Sequence, residues 1–280
     1  MGKALVIKGL EISSPLATVT FSDQDTFLSA YLAANTSISD TEKTALKTFF
    51  EGLFDNKLLS KMRYFYPMLG NNVPDMILEA ISPSTEDIFS NLASLSSLSV
   101  TDRVLHSSIE NNTEIINASS LSRFTLSDWR NMGVITATYH NTLSESCALN
   151  LGGQNGNNRI RTFELSSAFT ERPPRVLAGY SGSALSFVPS SASADERTYL
   201  DRIIFIQWQG NTASVYKEQN LYASGASYAD NITGLANLQI CTAVNTSYKF
   251  LAFMDNLTTS EWGVFHGLLL TFLRAVGKHS

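Results

Sequence analysis

Charge is scarce in this sequence. Asp, Glu, Lys and Arg make up 16% of the 280 residues, against a usual share of about a quarter. The formal balance is −5. A general nucleic-acid binder needs many cations to displace counterions from phosphates, so that class is excluded. Cysteine is nearly absent. Cys147 and Cys241 lie far apart in strand-like apolar surroundings, which reads as two buried free thiols, with one disulfide between them as the alternative. No apolar run approaches the length of a membrane span, and no membrane insertion is expected. The run at Ala4–Ile7 is cut by Lys8, unlike a signal peptide, and Val6 stands where a myristoylation site needs Ser or Thr. The four histidines, His106, His140, His266 and His279, have no metal-ligand spacing and no His-Glu-x-x-His pattern. No Gly-x-Ser-x-Gly elbow is present.

Ser, Thr, Asn and Gly take the place of charge. That mix favours a β-rich chain with many turns. The stretch from Thr246 to Val276 organises the reading. Tyr248, Phe250, Ala252 and Met254 alternate with Lys249, Leu251 and Phe253 as a strand, and Asp255-Asn256 turns it. Thr258 and Glu261 form a capping box. Trp262, Phe265, Leu269, Phe272, Leu273 and Val276 then recur at helical spacing. At roughly 1.5–3 kcal/mol per buried large side chain, that stripe must lie against something.

Residues 1–21 read as an extended N-terminal arm with one or two strands, suited to attachment or oligomerisation. Residues 22–63 read as a helical segment. Gln24–Ala34 is its first helix. Ser39-Asp40-Thr41-Glu42 is a capping box that opens a second helix, with Ala45, Leu46, Phe49, Phe50, Leu53 and Phe54 on one face. Residues 64–280 read as a β-sandwich closed by a C-terminal helix, 258–277. Its strand candidates include Tyr64–Met68, Met76–Ile81, Ile88-Phe89, Val134–Tyr139, Cys147–Leu151, Arg159–Leu165, Arg175–Tyr180, Ala184–Val188, Arg202–Trp208, Ala213–Lys217 and Asn237–Thr242. Gln209-Gly210-Asn211 joins two of them as a hairpin. Many short strands at close spacing give a mainly β fold class: an antiparallel sandwich with N-terminal helices and one C-terminal helix.

The order of parts resembles phage virion structural proteins with a concanavalin-like, laminin-G-like jelly-roll domain. The pieces are Leu59-Ser60-Lys61-Met62-Arg63-Tyr64-Phe65-Tyr66-Pro67 after an amphipathic helix, then Ser214-Val215-Tyr216-Lys217, Leu238-Gln239-Ile240-Cys241, Phe250-Leu251-Ala252-Phe253 and Leu257-Thr258-Thr259-Ser260-Glu261. The resemblance spans about residues 25–280. It departs at Glu218-Gln219-Asn220, where such hairpins carry Asn-Gly, and at Ile240, whose strand lacks a glycine. The resemblance implies a jelly roll presented on a virion assembled in the host cytoplasm, as a head fibre, capsid decoration or tail-associated component. It implies a homo-oligomer, trimer favoured, in contact with other virion proteins.

A glycosidase on such a sandwich needs two carboxylates facing one groove, and the Glu-x-Asp-x-x-Glu strand of such enzymes is missing. Asp195, Glu196 and Asp201 follow a Ser/Ala loop and read as solvated. His266 reads as packing, and His140 as a turn residue. Asp230-Asn231 and Asp255-Asn256 could lend oxygens to calcium but serve equally well as turns. No catalytic residue, cofactor or metal is assigned. The alternative function is a carbohydrate-binding adhesion module for a host surface glycan, with Trp129, Tyr222 and Tyr228 as stacking candidates. A glycoside hydrolase ranks below both.

Overall fold

Two capping boxes start the long helices where the sequence places them. The Ser39 hydroxyl accepts from the Glu42 backbone N–H at 3.3 Å, and the Glu42 carboxylate accepts from the Ser39 N–H at 2.8 Å, opening α2 (Asp40–Asp55). Thr258 and Glu261 repeat the exchange at 3.2 and 2.8 Å, opening α4 (Thr259–Ala275). Both helices end in the same way. Lys57 and Gly277 take left-handed backbone, with φ of 58° and 72°. The next N–H in each case, from Leu58 and Lys278, reaches back to the carbonyls of Leu53 and Leu273. This is the Schellman closure of a helix C-terminus.

The computed structural model describes residues 10–13, 18–21, 24–81, 83, 98–107, 116–117, 131–140, 146–152, 159–165, 175–181, 183–187, 201–210, 212–226, 237–240 and 246–279. In chain order these hold β1 (Leu10–Ser13), β2 (Thr18–Phe21), α1 (Gln24–Ala34), α2, a 3-10 turn at Leu59–Lys61, β3 (Met62–Tyr66), α3 (Val73–Met76), β4 (Leu98–Thr101), β5 (Val104–Ser107), β6 (Ile116–Asn117), β7 (Met132–His140), β8 (Ser146–Gly152), β9 (Arg159–Leu165), β10 (Arg175–Ser181), β11 (Ser183–Phe187), β12 (Asp201–Gln209), β13 (Thr212–Lys217), β14 (Asn220–Ala226), β15 (Asn237–Ile240), β16 (Thr246–Asp255) and α4. The fold is mainly β: a jelly-roll-like antiparallel sandwich with helices before it and one after.

An eight-stranded sheet runs β14-β13-β12-β7-β16-β5-β4, with β3 also pairing β16. A six-stranded sheet runs β11-β10-β9-β8-β15-β6. The two strands of the N-terminal arm, β1 and β2, pair with each other. β16 lies at the centre of the larger sheet. One edge runs along β7, and the other is shared between β5 at Thr246–Tyr248 and β3 at Leu251–Met254.

Both faces of the eight-stranded sheet are buried. On one face Ile135, Ala137, Ile203, Phe205, Tyr216, Phe250, Ala252 and Met254 form a single core with the apolar sides of α2 and α4. Phe49 of α2 stacks on Phe65 at 5.7 Å and meets Phe272 of α4 at 5.2 Å. Trp262 of α4 stacks on Phe205 at 4.6 Å. All six residues of the predicted α4 stripe are buried. On the other face Val134, Ile204, Ile206, Trp208, Val215, Leu251 and Phe253 are buried as well. A sheet apolar on both sides needs a cover on each.

Three expectations are corrected. Phe54 is 44% exposed, because α2 ends one residue later and its cover ends with it. Tyr248 does not share a face with Phe250. The register against β7 shifts between them, with Tyr248 opposite Thr138 and Phe250 opposite Ala137, and this bulge moves every residue before it to the other side. Met76–Ile81 is not a strand. Asn72 caps α3 by accepting from the Asp75 N–H at 2.9 Å, and Met76 closes that short helix. Beyond it, the Glu79 carboxylate accepts from the N–H groups of Phe65 and Ile81 at 3.0 and 2.8 Å, and the Ala80 N–H donates to the Phe65 carbonyl at 2.8 Å. A side chain thus satisfies the edge of β3 where a ladder would otherwise be needed. Ile88-Phe89 lies outside the described residues.

Candidate functional site

The pairing register of the six-stranded sheet sorts its residues into cross-strand rows. Ile116, Leu238, Leu151, Ile160 and Ala178 form one cross-strand row. Ile240, Leu149 and Thr162 form another, two residues away on the same face. Between them, on the opposite face, lies the row Gln239, Asn150, Arg161, Leu177 and Ser186. Its neighbour on that face is Asn117, Asn237, Gly152 and Arg159. Directly paired residues share a face, and alternate residues along a strand return to it. The next row on the first face pairs Cys147 with Glu164 and Glu164 with Arg175, so that face holds charged as well as aliphatic residues. The other carries four amide residues and two arginines across four adjacent strands, and these rows contain no Asp or Glu.

The local pattern of Arg159–Leu165 marks a strand but not this face. Arg159-Ile160-Arg161-Thr162 alternates, but Phe163-Glu164-Leu165 reverses the polarity of the two faces. The face became visible only when Asn150 and Gln239 took their places beside Arg161.

Titratable groups meet elsewhere. Glu218, in the turn between β13 and β14, takes left-handed backbone with φ 54°. Its carboxylate accepts from His266 Nε2 at 2.8 Å and from the Ile203 N–H at 3.1 Å. Its carbonyl accepts from Trp262 Nε1 at 2.9 Å. Burial works to raise this carboxyl's pKa, but the donors outweigh it and hold it below the ordinary 4.5. His266 is buried on α4, as expected of a packing residue; its acidic partner was not foreseen. The departure at Glu218-Gln219-Asn220 is thus the fastening between a hairpin turn and the closing helix.

His106 on β5 lies 2.7 Å from Ser247 Oγ through Nδ1, and its Nε2 lies 3.2 Å from the Thr101 carbonyl. A carbonyl only accepts, so Nε2 carries a proton and donates to it; in that tautomer Nδ1 accepts from the serine O–H. The geometry matches a nucleophile beside its base. Ser247, however, is 1% exposed, and no substrate atom reaches it.

Lys278, just past α4, is 2% exposed. Its ammonium donates to the Met68 carbonyl and lies 4.0 Å from Met76 Sδ. Burial pushes its pKa down to about 7; Glu42 opposes that, and Lys249 and Arg103 add to it. A groove of about 510 Å³ between α2 and α4 has Ala45, Phe49, Leu268 and Phe272 as its floor and Thr41, Thr44, Thr48 and Thr271 at its rim. It holds no pair of acids and no histidine.

The other candidates fall as follows. Asp201 opens β12 opposite Tyr139, and His140 ends β7 opposite Thr246. Asp195, Glu196, Trp129, Tyr228, Cys241 and the Asp230-Asn231 pair lie outside the described residues. Tyr222 has the Lys217 ammonium 5.4 Å from its ring centre. Asp255 accepts from Arg63 at 2.9 and 3.1 Å, and Asn256 donates to the Trp208 carbonyl at 2.6 Å, so this pair binds the chain to itself. Among the described residues no three His, Cys, Asp or Glu side chains converge on a metal position, and no helix is long and apolar enough to cross a membrane.

No family model matches the chain, and no curated protein matches it. Similar solved structures include Trypanosoma rangeli sialidase in complex with sialic acid, at 12% identity and TM-score 0.49, covering 80% of this chain and 38% of that one. Another is the CBM40 of Ruminococcus gnavus IT-sialidase bound to α2,3 sialyllactose, at 10% identity and TM-score 0.40, covering 58% and 98%. A third is the binding domain of Paraclostridial Mosquitocidal Protein 1, at 11% identity and TM-score 0.42, covering 61% and 45%. This chain spans well under half the length of the sialidase.

Proposed function

We propose that this chain is a non-catalytic jelly-roll module that binds carbohydrate through the outer face of its six-stranded sheet. The supporting observation is the cross-strand row Gln239, Asn150 and Arg161, with Asn117, Asn237, Gly152 and Arg159 as the neighbouring row on that face. The buried second face of the eight-stranded sheet needs a cover. In this proposal the six-stranded sheet supplies that cover and turns these rows outward. Amides donate and accept at once, which suits sugar hydroxyls, and arginine adds a planar fork of donors. These rows lack the paired carboxylates that glycoside hydrolysis requires, so the proposal is recognition without bond cleavage. The test is a glycan array followed by calorimetry. Binding of at least one glycan class is expected, weakened about tenfold or more by Asn150→Ala combined with Gln239→Ala. No binding to any carbohydrate overturns the reading.

A second reading places the same module on a phage particle, as head fibre, capsid decoration or tail-associated component. What favours it is the order of parts: α2, the Lys61–Pro67 strand region, the sandwich, β16 and capped α4 follow one another as in the family that the sequence resembles. It calls for a homo-oligomer, a trimer, attached to other virion proteins. Light scattering that gives a monomer, with no binding to particles lacking the protein, removes it.

A further inference from the structure

We infer that the turn after α4 is a proton-released latch: Lys278 seats it as a neutral amine, and uptake of a proton frees it. The hydrogen-bonding partners of the side chain support this first. A neutral amine carries two N–H donors, whereas an ammonium carries three. The buried Nζ has two acceptors, the Met68 carbonyl and the weak acceptor Met76 Sδ at 4.0 Å. Either form can donate to the carbonyl. The ammonium is left with a third N–H that has no acceptor, and an ionised group short of a partner away from water is costly.

The charges that face Lys278 do not correct the mismatch. Glu42 of α2 favours the charged form, while Lys249 of β16 and Arg103 of the β4–β5 turn oppose it. The Glu42 carboxylate is already engaged by the Ser39 N–H and hydroxyl and by the Gly70 N–H. Asp75 of α3 is bound to Thr36 and Asn72, and Glu79 to the N–H groups of Phe65 and Ile81. Burial and two cations prevail over one acid, and the pKa of Lys278 falls to about 7.

The seat ties separate elements together. The Lys278 backbone N–H closes α4 on the Leu273 carbonyl, and its side chain reaches Met68, beyond β3, and Met76 in α3. Release undoes that tie while the apolar stripe of α4 stays packed. The sign follows from the two pKa values. A freed Lys278 titrates at its ordinary 10.5. Between that value and about 7 the freed form holds a proton that the seated form lacks, so each fall in pH favours release; below about 7 both forms hold it and the effect levels off.

Amide hydrogen exchange of the full chain, followed by quench flow and mass spectrometry and corrected for intrinsic rates, tests the latch. The amides of Val276, Gly277 and Lys278 close the end of α4. Their protection is expected to fall at least about tenfold from pH 9 to pH 7 and to level off below about pH 6. At every pH they should be at least about tenfold less protected than the amides of β16, which open only with the whole fold. Lys278→Met fills the seat without charge and should make the protection independent of pH. Lys278→Arg, charged throughout, should hold the latch open across the range. Circular dichroism checks that each variant folds; if Lys278→Arg does not, the Lys278→Met profile decides. Protection at the end of α4 that is flat with pH in the native chain overturns the inference. So does protection equal to that of β16, because the proton then acts only through global unfolding. A pH dependence that persists in Lys278→Met assigns it to another group and overturns the inference as well.

Discussion

Glu218 occupies a left-handed backbone position that costs most side chains on the order of 1 kcal/mol. Its carboxylate compensates by joining β12, through Ile203, to α4, through His266. Glu218→Gln should therefore cost about 1.5–3 kcal/mol at neutral pH, the usual range for a hydrogen bond to a charged group, read from urea unfolding. The pH dependence has a definite sign. The folded-state pKa is depressed, so the stabilisation is complete above the ordinary carboxyl pKa and is lost as pH falls through the folded value. The stability curves of the two proteins should converge in acid. Lys278 works in the opposite range. Its folded pKa is lowered from 10.5 to about 7, so the unfolded chain holds the extra proton between those values and stability rises with pH across that window. Lys278→Met removes this dependence. Its melting temperature relative to the native protein should be highest below pH 7 and fall towards pH 10.5.

At the scale of elements, two glycine-type positions can be separated by what surrounds them. Lys57 and Gly277 fill equivalent sites at the ends of α2 and α4. Lys57→Gly should stabilise by about 0.5–1 kcal/mol, because the left-handed residue loses its steric conflict. Gly277→Ala should cost a similar amount, measured by thermal denaturation. Gly133 in β7 has a different constraint: a Cβ there would lie 2.4 Å from the ring of Phe205. That ring is stacked between Tyr216 and Trp262 and has nowhere to go. Gly133→Ala should cost about 1–3 kcal/mol as overpacking. Gly52→Ala meets only the flexible tip of Leu268 and should cost less.

These elements also mark where the sequence was legible. Both capping boxes, the β12–β13 hairpin and most strands could be read from local pattern, because a cap or a turn needs only residues within a few positions. The α4 stripe was legible for the same reason. The bulge at Tyr248, the role of Glu79 and the pairing of Glu218 with His266 were not. Each depends on a group brought from another element, and nothing in the neighbouring residues specifies it. The amide–arginine rows lay between these cases: the alternation of Arg159-Ile160-Arg161-Thr162 is local, but the rows need four strands in register.

The whole molecule depends on strands that are close in space and remote in sequence. Arg63 of β3 and Asp255 of β16 meet across 192 residues of chain, and β7 reaches the same central strand from the other side. Topologies of this kind fold slowly, since long loops must close before the contacts that reward them form. While β16 is absent, β7 and β3 each present an open edge that any strand of like pattern can join. Refolding from denaturant should therefore lose yield as protein concentration rises, followed by light scattering against recovered native fluorescence. During synthesis the consequence is one of timing: when β3 and β7 have emerged from the ribosome, the strand that belongs between them has yet to be translated. The nascent chain must wait with its sheet in two halves, and molecules queued on one messenger are the nearest source of a wrong partner.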